Sequence, residues 1–290
     1  MVYESPAIVL ASRPRPRDHI VGTLIAERAP KLATSPAWPV IRPLLYLLLD
    51  YRRARRMVDG IAPLPGREAL AFISAMLDLK VETRGLDLVP RSGRMIVVCN
   101  HPTGIADGIA LFDILSPVRP DLVFYANADA HRVAPGFHDV LIPVEWVEEK
   151  RTREGARVTL QRTREAMEAE RPLVVFPAGR LARRAPGKGL ADLPWAPSAF
   201  SVARKYEAPV LPLHLDGPWS ALFHFFDRFS GELRDITLFH ELLNKRGRRF
   251  RLLVGAPVAA GALPADAGEA AAAMKAYVEK TLPFESRRDR

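Results

Sequence analysis

Cys99 is the only cysteine in the 290-residue sequence, which excludes an internal disulfide and makes a reducing compartment the default. No run of about 18 or more uncharged apolar residues occurs, so no membrane-spanning helix is expected. Residues 1–17 carry Glu4 and three prolines but no signal-peptide core. The Gly-x-Ser-x-Gly elbow of serine hydrolases is missing, and so are the two common glycine-rich nucleotide loops. The histidines, at positions 19, 101, 131, 138, 214, 224 and 240, show no paired helical or hairpin spacing, so no metal site is expected. No nucleic-acid module is recognisable. The arginines are mixed with acids and not gathered in one stripe, so nucleic acid is not expected as a partner.

Against these absences stands a surplus of positive charge: 42 Lys and Arg face 33 Asp and Glu, a net charge of +9. Taken alone, such a surplus implies an anionic partner: nucleic acid, a lipid surface or a phosphorylated ligand. The length suffices for a full hydrophobic core.

The stretch around which the chain is organised begins with the β-branched run Met95-Ile96-Val97-Val98-Cys99. Asn100-His101-Pro102-Thr103-Gly104 follows, then an apolar segment with Ile105, Ile109, Phe112 and Leu115 at helical spacing. This pattern predicts a buried strand, a tight turn and a helix. Open α/β sheets place their ligands at such a carboxyl strand end. Asp107, in the first helical turn, is within reach of His101, where a carboxylate would fix the imidazole tautomer and favour its protonated form. The competing reading has His101 capping the turn and Asp107 sitting where helix starts favour acids. Spacing alone weighs the two evenly.

Residues 1–35, rich in Pro and Arg, read as an extended or poorly ordered arm. Residues 36–80 read as helical. There Leu44-Leu45-Tyr46-Leu47-Leu48-Leu49 runs into Arg52-Arg53-Ala54-Arg55-Arg56, which suits an interfacial segment on an anionic membrane surface. The simpler alternative is a core-facing helix with a solvated arginine end. Apolar spacing predicts a helix over 66–80. Strands are expected over 81–89, 121–125, 140–144, 172–176, 208–214 and 250–254, with a charged surface helix over 151–171. Strands alternating with helices predict an α/β fold, a mostly parallel central sheet flanked by helices. Asp266 and Glu269 form a capping box that opens an alanine-rich helix to Lys280. Residues 284–290 read as a basic tail. Phe223, Phe225, Phe226 and Phe229 read as core in preference to the wall of an acyl-chain tunnel.

Asn100-His101-Pro102 with Asp107 resembles the first motif of the glycerolipid (lysophospholipid) acyltransferases, in which an Asn-His pair is followed by an Asp. The family's usual gap would put the acid at Ala106. The longer gap here resembles the branch called hemolysin-type or lyso-ornithine-lipid acyltransferases, with Asp113 as the alternative acid. Phe176-Pro177-Ala178-Gly179-Arg180 resembles the second motif, again in the form of that branch, where Ala replaces the more common Glu. Asp192-Leu193-Pro194-Trp195, Asp216-Gly217 and Glu241-Leu242-Leu243-Asn244 follow in the branch's order and spacing.

The resemblance implies an acyltransferase domain over 81–283 with a glycerol-3-phosphate acyltransferase-like fold. It implies transfer of a fatty acyl group from acyl-CoA or acyl carrier protein to a hydroxyl of a lysolipid, in phospholipid or ornithine-lipid synthesis. His101 would be the general base and Asp107 its partner. Asn100, Thr103, Gly104, Pro177, Gly179, Arg180 and Arg183 would contact substrate. No metal or redox cofactor is expected, and the protein would sit peripherally on the cytoplasmic face of the membrane. Cys99 could in principle carry an acyl group, but in an apolar strand it reads as an inert packed thiol. The reading from a different class is a non-catalytic basic protein held on a membrane by charge.

Overall fold

The computed structural model describes residues 18–145, 151–185 and 189–284. The described residues open with helices. Residues 1–17 of the expected arm lie outside the described residues, but the remainder is not extended. Helix α1 (Ile20–Arg28) buries Val21, Leu24 and Ile25, and α2 (Pro30–Ala33) follows. The Pro and Arg content that suggested an arm is concentrated before this apolar stripe. Next come α3 (Trp38–Leu48), α4 (Tyr51–Ile61) and α5 (Gly66–Leu77). Between α3 and α4 the chain turns through Asp50 in the left-handed region (φ 54°), so the leucine run and the arginine cluster occupy two separate helices.

A seven-stranded sheet forms the centre. Its strands are β1 (Lys80–Arg84), β2 (Met95–Cys99), β3 (Val123–Asn127), β4 (Leu141–Val144), β5 (Pro172–Val175), β8 (Val210–Asp216) and β9 (Arg249–Val254), in the spatial order β1-β9-β8-β2-β5-β3-β4. Five neighbours from β8 to β4 are parallel; β9 runs antiparallel to β8, and β1 parallel to β9. The sheet is therefore mostly parallel, as the alternation of elements predicts, with a reversed pair at one edge. The entry strand expected over 81–89 ends at Arg84 and gives way to a 3₁₀ turn at Leu86–Leu88. A small hairpin, β6 (Arg183–Ala185) with β7 (Gly189–Ala191), stands outside the sheet.

Every residue of β2 is buried, as a central parallel strand covered on both faces requires. Its period of two divides the core. Met95, Val97 and Cys99 pack into the layer containing α1, α4, α5, α6 (Ile105–Leu115) and α12 (Leu238–Leu243). Ile96 and Val98 pack against α8 (Arg153–Glu168), α9 (Ser198–Lys205) and α13 (Ala267–Ala276). Asp266 caps α13, accepting the amide of Glu269 at 2.8 Å. The helix passes into a π turn at Tyr277–Thr281. Helices α7 (Asp129–Val133), α10 (Ala221–Phe226) and α11 (Gly231–Asp235) are short connectors. Residues 285–290 of the expected tail lie outside the described residues. Among the described residues no helix is long and apolar enough to cross a membrane.

Candidate active site

The carboxyl end of β2 is held open by Asn100. Its Nδ2 donates to the Leu215 carbonyl at 2.8 Å, and its Oδ1 accepts the Leu215 amide at 2.7 Å. One side chain thus replaces the ladder where β2 parts from β8. Gly104 then turns the chain into α6 at φ 97° and ψ −143°, a conformation open to glycine, and a Cβ there would lie 3.2 Å from Leu181 Cδ2.

Asp107, at the third position of α6, points back over this turn and is fully buried. Its Oδ2 accepts from His101 Nδ1 at 2.9 Å, from the Thr103 amide at 2.9 Å and from the Gly104 amide at 3.1 Å. Its Oδ1 accepts a short bond from Thr103 Oγ1. A carboxylate out of contact with water needs such donors to remain there as an anion. The capping role and the histidine-holding role, rivals on spacing alone, are performed by the same carboxylate. Asp113, the alternative acid, instead receives a hydrogen bond from Ser74 of α5, and burial raises its pKa.

With Nδ1 directed at Asp107, the imidazole Nε2 has no hydrogen-bond partner among the described residues. The ring stacks on Phe176 at 4.3 Å between centroids and keeps 15% of its side-chain surface exposed. The His101 backbone is fixed as well. Its amide donates to Asp192 Oδ1 at 3.1 Å, and its carbonyl accepts from the Ala182 amide at 2.8 Å. Asp192 Oδ2 accepts the indole N–H of Trp195 at 2.9 Å, and the Asp192 amide donates to Glu279 at 2.8 Å. Burial pushes the Asp192 carboxyl up to about 6 against the pull of the Trp195 and His101 donors.

The second motif lies beside this histidine. Pro177 is buried and its carbonyl accepts the Ala196 amide at 2.9 Å. Gly179 closes a turn with φ 64°, its amide donating to the Phe176 carbonyl at 2.9 Å. Arg180 is exposed. Arg183 lies 3.9 Å from Asp227, which Arg234 also holds at 2.8 Å. Of the residues expected to contact substrate, Asn100 and Thr103 direct their polar groups to protein partners. Gly179, Arg180 and Arg183 are the ones that keep open surface.

Three features escaped the sequence reading. The role of Asp192 was not legible, because its partner His101 lies on a different element, and Trp195 acts through Asp192. The aromatic stretch is not core: Phe223 and Phe226 are half-buried, while Phe225 and Phe229 are 56% and 70% exposed. Behind Asp107, Lys245 Nζ lies 3.4 Å from Glu241 Oε2, with both side chains buried, and Ser220 Oγ donates to Glu241 Oε1 at 2.5 Å. Burial lowers the Lys245 pKa, offset by the charges of Glu241 and Asp107. Cys99 is fully buried, and desolvation raises its thiol well above the ordinary value.

Comparison with known proteins matches the family described as Acyltransferase to residues 80–216. A lyso-glycine lipid O-acyltransferase of Phocaeicola vulgatus is 28% identical over 199 residues, covering 67% of this chain and 69% of that protein. A protein of the same description from Bacteroides thetaiotaomicron is 25% identical over 199 residues, covering 67% of this chain and 71% of its own length. A crystal structure of the 1-acyl-sn-glycerophosphate (LPA) acyltransferase PlsC from Thermotoga maritima is similar with a TM-score of 0.48 and 15% identity, covering 92% of this chain and 96% of that one. Residues 80–216, which hold His101, Asp107 and the second motif, are an Acyltransferase-family domain.

Proposed function

We propose that this acyltransferase moves a fatty acyl group from a thioester donor, coenzyme A or acyl carrier protein, to a hydroxyl of a lysolipid. The observation that carries this reading is the 2.9 Å contact between His101 Nδ1 and Asp107 Oδ2 at the carboxyl end of the central strand. In the reaction His101 Nε2 takes the hydroxyl proton as that oxygen attacks the thioester carbonyl. Asp107 orients the ring and offsets its positive charge. Collapse of the tetrahedral intermediate expels the thiolate, which the imidazolium protonates, leaving an O-acyl ester and a free thiol.

Arg180 is suited to an anionic group on acceptor or donor, since a guanidinium donates to oxyanions, and Gly179, without a side chain, leaves the adjoining turn open to that group. Arg183, drawn toward Asp227, borders that surface. The lysolipid acceptor is supported by the similar lyso-glycine lipid O-acyltransferases. The mechanism calls for no metal or redox cofactor. The exposed face of α3 and the arginines of α4 favour peripheral attachment to an anionic membrane, on the cytoplasmic face where acyl thioesters are made. The test is to offer labelled acyl-CoA and acyl-acyl carrier protein separately with a panel of lysolipids. An O-acylated product from at least one pair is expected, and acyl transfer to water alone would overturn the reading. The family assignment sets aside a purely charge-held, non-catalytic protein.

A further inference from the structure

A depression of about 440 Å³ opens between α4, α5 and the turn after α12, lined by Arg53, Arg56, Met57, Phe72, Met76 and Arg246. Helical spacing makes it: positions 53, 56 and 57 share one face of α4, and positions 72 and 76 share one face of α5. A Cβ at Gly60 would come within 2.7 Å of the Phe72 ring, so the glycine lets that ring lie against α4 as an apolar floor. No carboxylate lines the depression. Arg53 has Asp50 at 3.8 Å, and Arg56 and Arg246 form no ion pair among the described residues. Arg53 Nη2 is buried without a hydrogen-bond partner. The Arg53 side chain as a whole keeps 27% of its surface, and with Arg56 and Arg246 it gives the depression a guanidinium rim suited to an anionic oxygen.

The element before α4 points to the source of that oxygen. Helix α3 exposes Val40, Leu44, Leu47 and Leu48 along one stripe at 72%, 66%, 82% and 46%, and it packs on α4. A bilayer that accepts this stripe brings its phosphates to the arginines of the next helix, with Met57, Phe72 and Met76 beneath for the first methylenes of a chain. We propose that the depression seats the headgroup phosphate of one anionic phospholipid, apart from the His101 site. This rests on the peripheral membrane reading above.

The test uses two charge-matched pairs in the full chain, R53Q/R56Q, which lines the depression, and R52Q/R55Q, on the same helix outside it. Binding to phosphatidylcholine vesicles with and without phosphatidylglycerol is measured for each, with melting temperatures to confirm folding. The seat predicts that R53Q/R56Q loses about tenfold or more of the affinity gained from phosphatidylglycerol, while R52Q/R55Q loses less than about threefold. Equal losses in both pairs mean diffuse attraction and overturn the proposal, as does displacement of the vesicles by coenzyme A. An L44S/L47S variant tests membrane attachment separately: loss of binding to both vesicle types in that variant, together with the unequal arginine pairs, supports both readings. Unchanged binding of L44S/L47S overturns the attachment through α3 on which the seat depends.

Discussion

Asp192 Oδ1 accepts the backbone amide of His101 at 3.1 Å from 91 residues further along the chain, and its other oxygen holds the Trp195 indole. This buried carboxyl thus fixes the main chain of the histidine, as Asp107 fixes its ring. Its folded pKa of about 6 lies above the ordinary 3.8, so the native state binds the proton more tightly than the unfolded state. Stability must then fall as pH rises from about 4 to about 6, by up to about 3 kcal/mol from this group. Urea unfolding across that range should show the slope in the parent and its loss in D192N; parallel curves would contradict it.

Asn100 satisfies both backbone groups of buried Leu215. N100A leaves a donor and an acceptor without partners and should cost about 2 to 4 kcal/mol in denaturant unfolding. Activity should fall with it, since the same residue sets where β2 releases the chain toward His101.

Lys245 and Glu241 form a buried pair. Removing one partner strands the other's charge, so K245M alone should destabilise by about 3 to 5 kcal/mol. E241Q/K245M, which removes both charges and keeps an acceptor for Ser220, should recover much of that loss. Equal destabilisation of the single and double variants would mean that the charges are not coupled.

Cys99 has no exposed surface and a thiol held in its neutral form by burial. C99A should keep turnover within about threefold, because burial suppresses the thiolate on which thiol chemistry depends. Retained turnover excludes an acyl-thiol intermediate; abolished turnover in a folded variant would require one.

What was legible in the sequence was local. His101 and Asp107 are joined by one turn, so their spacing put them within reach of each other while leaving a separate capping role equally open, and the buried run of β2 and the alternation of strands and helices were readable from period and residue type. The direction of β1 and β9 was not, because a hydropathy pattern reads the same in either direction. Asp192 and Trp195 could be noted as part of a resemblance but not placed, since the His101 amide that Asp192 holds lies on another element. Phe225 and Phe229 were misjudged as core because aromatic density tells of apolar area and not of whether the fold covers it. The helix at Ile20 was obscured by the prolines and arginines that precede it.

The most direct measurement is the acylation rate of H101A with an acyl thioester and its lysolipid acceptor, alongside circular dichroism to show that the variant is folded. A general base predicts a fall of about 10² to 10⁴ in kcat. A folded H101A protein that acylates at the parental rate would contradict the role assigned to His101 and, with it, the mechanism.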